Sequence, residues 1–580
     1  MKLYQYIAAG LFGIAVLGSC TDLTEKPYTF VDPSTYYQNE EQLNSALTTV
    51  YNSFRSIYND GGTFMRLEGC TDYGQPNREG NKNSINDINA WKYQNQASNA
   101  GTFTAVWSKA MACINRANNA ILQLEAANMD DAAKNRAIAQ ARFFRAISYY
   151  WIVRIYGGAP IIKTTTTSLD NLNFPRNTID EVYAFIIEDL EFAEENLPIR
   201  GTNGYDIWRV TKGAAQAYLA NLYLYRASMA GSGGYMTFDK TLLEKAKGYC
   251  EKVIKSGVYD LEPDFANLWC SLNGDAARNN KESIFELQFA TISGQQNGMH
   301  QNFGMFADSC YPEDFVSFGK TVKTGDGDKA GAGGDGKGGS YYYLRTGPSV
   351  EAWKNYDPSD QRLKVLISEG TYTKGESTVH CTFDPDVDKG SLKGHLGWGS
   401  CCPGNIKVHD FSKAAREALR SGNNFMTMRY AQVLLDYAEV LNCLGDQATA
   451  LQYLNKVHQR AGLPAMTAAI AKEKWQNDER CSIASDADAV DEAIFQERGF
   501  EFIGEGVIYF DELRTDRLGK RVGYFVQKYN KMGYNQVLPL EFVPSKTHLW
   551  WIASSDLAAN SDLEQNGDNV EDTRYIKYKN

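Results

Sequence analysis

The sequence predicts a mainly α-helical protein whose paired helices pack against an irregular, loop-rich region with a few short strands. Three observations carry that expectation. Apolar residues recur three and four apart over long stretches on both sides of a central segment of the 580-residue chain, the spacing that lays one stripe along a helix. Glycine, proline or N-capping residues bound those stretches. Residues 271–425 are instead rich in Gly, Tyr, Asp and Asn and show little helical period, as loops do.

The N-terminus predicts export. Lys2 precedes an uncharged apolar run from Ile7 to Leu17, then the small residues Gly18 and Ser19, then Cys20. This is the pattern of a secretory signal over residues 1–19, too short for a membrane span. Leu17-Gly18-Ser19-Cys20 resembles the bacterial lipobox, so Cys20 is the expected acylated residue. Each buried CH₂ adds ~0.8 kcal/mol, so several acyl chains on one cysteine anchor a domain durably. Residues 20–35, polar and with Pro27 and Pro33, are expected to be the tether.

Helices fill residues 36–270. Leu43, Leu47, Val50, Phe54 and Ile57 form one stripe, and Trp107, Ala110, Ile114, Ala117, Ile121 and Leu124 another. Both tryptophans at stripe positions, Trp107 and Trp151, are assigned to the core. The stretch from Ala137 to Tyr156 is apolar on several faces, with Ala137, Ala141, Phe144, Ser148, Trp151 and Ile155 on one stripe. It must be buried on several sides, and Gly157, Gly158 and Pro160 end it. Its arginines Arg142, Arg145 and Arg154 then have to reach water or carboxylates, because a buried unpaired charge costs several kcal/mol, roughly. Thr178-Ile179-Asp180-Glu181 is a capping box opening a helix that Pro198 stops. Val210 to Ala230 and Leu242 to Ser256 are two more helices, ended by Gly231 and Gly257.

Residues 271–425 form the loop-rich insertion, with a strand predicted over Ser283 to Phe289. Residues 426–580 are helical again. Thr427 to Leu444 and Gln447 to Ala461, joined by Gly445-Asp446, resemble a tetratricopeptide unit, and the preceding helices pair in the same way without a strict period. Such arrays bind partners along a concave face or serve as scaffolds. The whole of 36–580 is expected to fold as one unit.

Composition and motifs exclude several functions. A formal net charge of −11 without clustered Lys and Arg argues against nucleic-acid binding. Aromatic residues at 12% suit recognition of sugars or peptides, since Tyr and Trp join an apolar face to a polar tip. Gly331, Gly333 and Gly336 satisfy G-x-G-x-x-G without a strand before or a helix after, so they do not indicate a dinucleotide. Asp326 and Asp328 fail as a calcium loop because Lys337 stands where the closing acid belongs. The six histidines are scattered, the cysteines after Cys20 lack C-x-x-C spacing, and neither a metal nor a cofactor is expected. Cys381 with Cys401 or Cys402 is a possible disulfide, and buried free thiols are as plausible. No catalytic set is expected. Glu497 and Glu501 sit one helical turn apart with Arg498 between them, and Asp511 and Arg514 follow. Glycosidase carboxylates normally flank a cleft from separate elements, so a structural ion-pair network is expected here.

Several segments resemble, in order, the SusD/RagB outer-membrane lipoproteins of Bacteroidetes. They are the lipobox followed by DLTEKP, ARFFRAISYYWIVRIYGGAPII, TIDEVYAFIIEDLEFAEENLP, VTKGAAQAYLANLYLYRA, NNKESIFELQF, RYAQVLLDYAEVLNCLGDQATALQYLNKVHQRAGL and ERGFEFIGEGVIYFDELR. The resemblance runs from Cys20 to about Asn566. It implies a SusD-like fold and a lipid-anchored, surface-exposed protein. It also implies a glycan ligand delivered to a SusC-like TonB-dependent transporter. By the same resemblance, the ligand lies against segments 69–81, 86–96 and 300–315. Trp91 is then the stacking platform, Asp72 and Arg78 are hydroxyl partners, and Tyr73, Tyr93 and Tyr311 line the groove. Trp398 is an outside candidate. A peptide receptor of the RagB kind and a secreted glycoside hydrolase are the alternatives.

Overall fold

The computed structural model describes residues 39–59, 67–76, 96–164, 173–230, 238–290, 292, 314–317, 320–323, 346–367, 369–374, 377–382, 404–408, 421–531 and 549–566. The first block runs α1 (Glu40–Asn59), β1 (Gly74–Pro76), α2 (Gln96–Glu125), α3 (Asp131–Tyr156), α4 (Ile179–Asn196), α5 (Lys212–Ala230) and α6 (Lys240–Lys255). The central region supplies β2 (Ser283–Leu287), β3 (Asp314–Ser317), β4 (Lys320–Lys323), β5 (Thr346–Pro348), α7 (Val350–Asn355), β6 (Leu366–Ile367), β7 (Glu369–Lys374), β8 (Ser377–Thr382), β9 (Gly404–Asn405) and β10 (Phe425–Arg429). The last block holds α8 (Tyr430–Cys443), α9 (Gln447–Arg460), α10 (Ala468–Trp475), α11 (Asp486–Phe502), α12 (Ile508–Arg514), α13 (Leu518–Lys531) and α14 (Ser554–Ala559).

Adjacent helices pair down the chain, α1 on α2, α2 on α3, α3 on α4, α5 on α6 and α8 on α9, while α6 also packs on α8 and so joins the two helical blocks. One apolar core runs from Leu43 to Leu563 through both blocks. Helix α3 is its centre. Asp130 caps it by accepting from the Ala133 amide at 3.1 Å, and Gly157 closes it at φ 80° with its amide on the Val153 carbonyl. That φ is left-handed and suits only glycine at ordinary cost. Trp107 and Trp151 are buried as expected. The capping box of α4 is present in both directions between Thr178 and Glu181.

The arginines of α3 find two solutions. Arg145 places Nε and Nη2 on the two oxygens of buried Asp189, at 2.7 and 2.8 Å, and its Nη1 on Asn118. Arg142 lies 3.7 Å from the same carboxylate. Arg154, half-buried, lies 3.9 Å from the ring centroids of both Tyr150 and Phe510, and its Nε donates to the Tyr150 carbonyl at 3.2 Å, so aromatic faces add to the ways its charge is met.

Residues read as the start of one long helix are divided here. Thr427, Met428 and Arg429 belong to β10, which pairs antiparallel with β2 from Phe425↔Leu287 to Arg429↔Ser283. Helix α8 begins only at Tyr430, and its N-cap Arg429 makes no capping bond. Without a capping residue the sequence carries no start signal, and the apolar run reads straight through. The predicted strand 283–289 is confirmed as Ser283–Leu287. A four-stranded antiparallel sheet in the order β4-β3-β7-β8 lies within the central region. The disulfide considered for Cys381, Cys401 and Cys402 falls on side chains outside the described residues. Among the described helices none is long and apolar enough to cross a membrane.

Candidate functional site

Of the first segment expected to carry the ligand, residues 69–76 are described, ending with β1 at Pro76. Strand β1 pairs with β5, Gly74 opposite Pro348 and Pro76 opposite Thr346. The Ser349 amide then bonds the Tyr73 carbonyl at 2.8 Å. Below the strand, the Thr71 hydroxyl donates to the Glu68 carbonyl at 2.8 Å and accepts from the Gly74 amide at 3.1 Å. The Asp72 carbonyl also accepts from the Ser349 hydroxyl at 2.5 Å, so this turn is tied both to itself and to the start of α7.

The side chains beneath it are not available to a ligand, which corrects two expectations. Asp72 is 2% exposed and is clamped by Arg480 Nη1 and Arg521 Nε, each at 3.1 Å. Burial alone would raise its carboxyl, but Arg521 and Arg480 outweigh that and hold it below the usual carboxylate range. Tyr73 is also 2% exposed. Its hydroxyl donates to Gln496 Oε1 at 2.6 Å, and its ring meets Phe495 and Phe500 edge-on. The two residues fasten the turn before β1 to α11 and α13, and neither can reach a sugar hydroxyl. Trp91, Arg78, Tyr93, Tyr311, Trp398 and the lipidation residue Cys20 lie outside the described residues.

Tyr73 also explains a glycine inside α11. A Cβ on Gly499 would stand 2.1 Å from Tyr73 Cζ, and the ring is walled in. Gly499→Ala is expected to cost about 1–3 kcal/mol by overpacking. In urea denaturation this cost should largely vanish in a Tyr73→Ala background; an undiminished cost there would place the clash elsewhere.

The carboxylates that most resemble catalytic acids are saturated. Glu497 receives Arg362 Nη1 at 2.6 Å and faces His458 Nδ1 at 2.7 Å. Glu501 receives Arg429 at 2.6 Å, Arg362 at 3.3 Å and Arg460. Burial opposes ionisation of Glu501, yet Arg460, Arg429 and Arg362 together hold its carboxyl far below the usual range. It cannot donate a proton near neutral pH. Arg498 is shared by Asp436 and Asp511, and Arg514 by Asp511 and Glu439. The ion-pair expectation for these helices is met, and it extends to Glu282, Arg362, Lys407, Arg429 and Glu505, which the sequence reading did not single out. A signal existed for one of them: Arg429 is the single charge in the run FMTMRYAQVLL, and such a residue must be paired.

The helical scaffold thus has the acids of α11 locked in ion pairs with Arg362, Arg429 and Arg460. The comparisons give the particular class. A family model described as "SusD family" matches residues 401–568, and one described as "Starch-binding associating with outer membrane" matches residues 23–224. The SusD-like protein P2 of Formosa agariphila is 26% identical over 567 residues, covering 95% of this chain and 97% of the relative. A SusD homolog from Bacteroides thetaiotaomicron superposes with a TM-score of 0.69 at 21% identity, covering 92% of this chain and 98% of its own. Surface glycan-binding protein A from Bacteroides uniformis superposes with a TM-score of 0.65 at 20% identity, covering 91% and 99%. The chain belongs to the SusD/RagB family, and its mainly helical fold is that of its structural neighbours.

Proposed function

We propose that the protein binds a polysaccharide or oligosaccharide at the cell surface, held there by acyl chains on Cys20, and hands it to a SusC-like TonB-dependent transporter in the outer membrane. The observation that carries this is the root of segment 77–95. The clamp on Asp72, the wedge of Tyr73 and the β1 to β5 pairing hold the chain that leads into this segment still, as scaffolds hold the segments that carry binding groups. Membership of a family whose model is described as starch-binding, and likeness to a protein named for surface glycan binding, support the same reading. Trp91 is the expected stacking platform, with Arg78 bonding hydroxyls and Tyr93 and Tyr311 lining the groove. An aromatic face supplies tolerant contact area, and a charged donor sets orientation.

Affinity electrophoresis of the form starting at Thr21, in gels cast with plant, microbial and host polysaccharides, tests this. At least one polymer should retard the wild type, and Trp91→Ala should weaken that retardation by about tenfold or more, the loss of roughly 1.4 kcal/mol. Retention of peptides with no retention by any glycan would transfer the assignment to a peptide receptor, and release of reducing sugar would favour a hydrolase.

A further inference from the structure

A second ligand-sized cleft lies away from that platform. Its volume is about 310 Å³, at the lower end of the ~300–1,000 Å³ of small-ligand sites. One wall is α1, with Tyr51, Asn52 and Arg55; the other is the turn Asp206, Trp208 and Arg209; the floor is β2, with Phe285 and Glu286. None of these residues belongs to the β1 to β5 platform. Trp208 is 54% exposed, the one tryptophan among the described residues to stand so far into solvent.

The turn that presents Trp208 is fixed. The Trp208 amide donates to Asp206 Oδ1 at 3.1 Å, and the Arg209 amide to the Asp206 carbonyl at 2.9 Å. The next amide, of Val210, donates to the Tyr51 hydroxyl at 3.1 Å, which itself donates to Gln140 Oε1 at 2.9 Å. Arg209 is held by Gln140 at 3.2 Å and lies 5.4 Å from the Tyr51 ring. The turn is thus stitched to both α1 and α3, so the backbone that presents the indole is already ordered when a ligand arrives.

The charges decide what kind of ligand fits. Arg55 and Arg209 face Asp206 and Glu286, two cations against two carboxylates, so a polyanion gains nothing overall. Planar, charged hydrogen-bonding groups around an exposed indole suit a ring with one apolar face and hydroxyls at its edge. A cleft of this size takes one or two sugar rings, whereas a stable protein interface needs about 800 Å² on each partner.

We infer that the Trp208 cleft between α1 and β2 is a second saccharide site, taking a neutral sugar ring on the indole while Arg209, Asp206 and Arg55 bond its hydroxyls. The inference rests on the glycan reading above. Two sites sharing no residue let one polysaccharide chain engage both, and the second contact then forms at the high effective concentration of a tethered ligand.

The test uses the full soluble chain, with wild type, Trp208→Ala, Trp208→Phe and Trp91→Ala compared in gels containing soluble starch, laminarin, galactomannan or, as an acidic control, polygalacturonate. Trp208→Ala should melt like the wild type because its side chain is exposed, lose about tenfold in retardation by the neutral polymer that binds, and be largely rescued by phenylalanine. Unchanged retardation of Trp208→Ala, with Trp91→Ala abolishing it, would overturn the second site and leave the glycan reading standing. No retardation of the wild type by any polymer would remove both. Unchanged glycan affinity with loss of co-purifying transporter would make the cleft a protein contact instead.

Discussion

Replacing Arg429 by alanine is expected to destabilise the protein by about 3–5 kcal/mol, the cost of breaking a buried ion pair from one side. Arg429 is 1% exposed and uses its whole fork: Nη1 bonds Glu282 at 2.8 Å and Glu501 at 2.6 Å, while Nε and Nη2 bond the two oxygens of Glu505, each at 2.9 Å. The surrounding cluster contains Glu282, Asp360, Glu497, Glu501 and Glu505 against Arg362, Lys407, Arg429 and Arg460. Five carboxylates then face four cations, and the deletion leaves three. The remaining arginines are already committed, so Glu505 keeps only Lys407 and the repulsion is not relieved. Arg429 also ends β10, and the next amide, of Tyr430, bonds the Glu282 carbonyl at 2.8 Å. The same deletion therefore loosens the β2 to β10 seam that closes the central region onto the C-terminal helices. Lysine should recover only part of the loss, because a point charge cannot serve three carboxylates from one planar fork. Urea denaturation followed by circular dichroism measures both variants. A loss below about 1 kcal/mol for Arg429→Ala would mean that the cluster contributes nothing net and that apolar packing alone holds the seam.

How far the sequence reached follows from which forces act locally. The helices were legible because burial of one face imposes a spacing on neighbours in the chain: Leu43 through Ile57 and Trp107 through Leu124 are all buried at the positions their spacing predicts. The capping box at Thr178 was legible for the same reason, since both of its partners lie within three residues. Asp72 and Tyr73 were not. In the chain they are a polar and an aromatic residue in a loop, the composition of a sugar site. What makes them structural is Arg480, Gln496 and Arg521, which lie 408, 423 and 449 residues away. Trp208 was missed from the opposite side. It stands in the turn DIWRV between two predicted helices, on no helical stripe, and that position was the signal that it need not be core. The exposure of a turn residue is set by tertiary packing, and only the fold shows it standing in water beside Arg209.

Glu68 is expected to make the protein less stable as pH rises from about 4.5 towards 7, against the usual behaviour of a carboxylate-rich fold. It is 2% exposed, below the β1 turn. Oε1 accepts from the Gly506 amide at 2.8 Å, while Oε2 is buried without a hydrogen-bond partner among the described residues. Burial pushes its carboxyl up to about 7, against partial opposition from the Gly506 and Gly504 amides. An unfolded glutamate titrates near 4.5. Between those values the folded state keeps a proton that the unfolded state has lost, so stability falls with rising pH across that window and levels off above about 7, at a total cost of about 3 kcal/mol. Asp72, Glu501 and Asp511, depressed by their arginines, act with the opposite sign: their contribution is present above the unfolded carboxylate range and is lost as pH falls through their lowered values. The two trends overlap in the wild type, so the difference against Glu68→Gln isolates the first. Glutamine keeps an acceptor for the Gly506 amide and carries no charge at any pH. Its stability relative to the wild type should therefore grow by about 2–3 kcal/mol between pH 5 and pH 8 in urea denaturation. A difference that stays constant across that range would show Glu68 to be solvated and ionised in the folded protein, with water reaching beneath the turn that precedes β1.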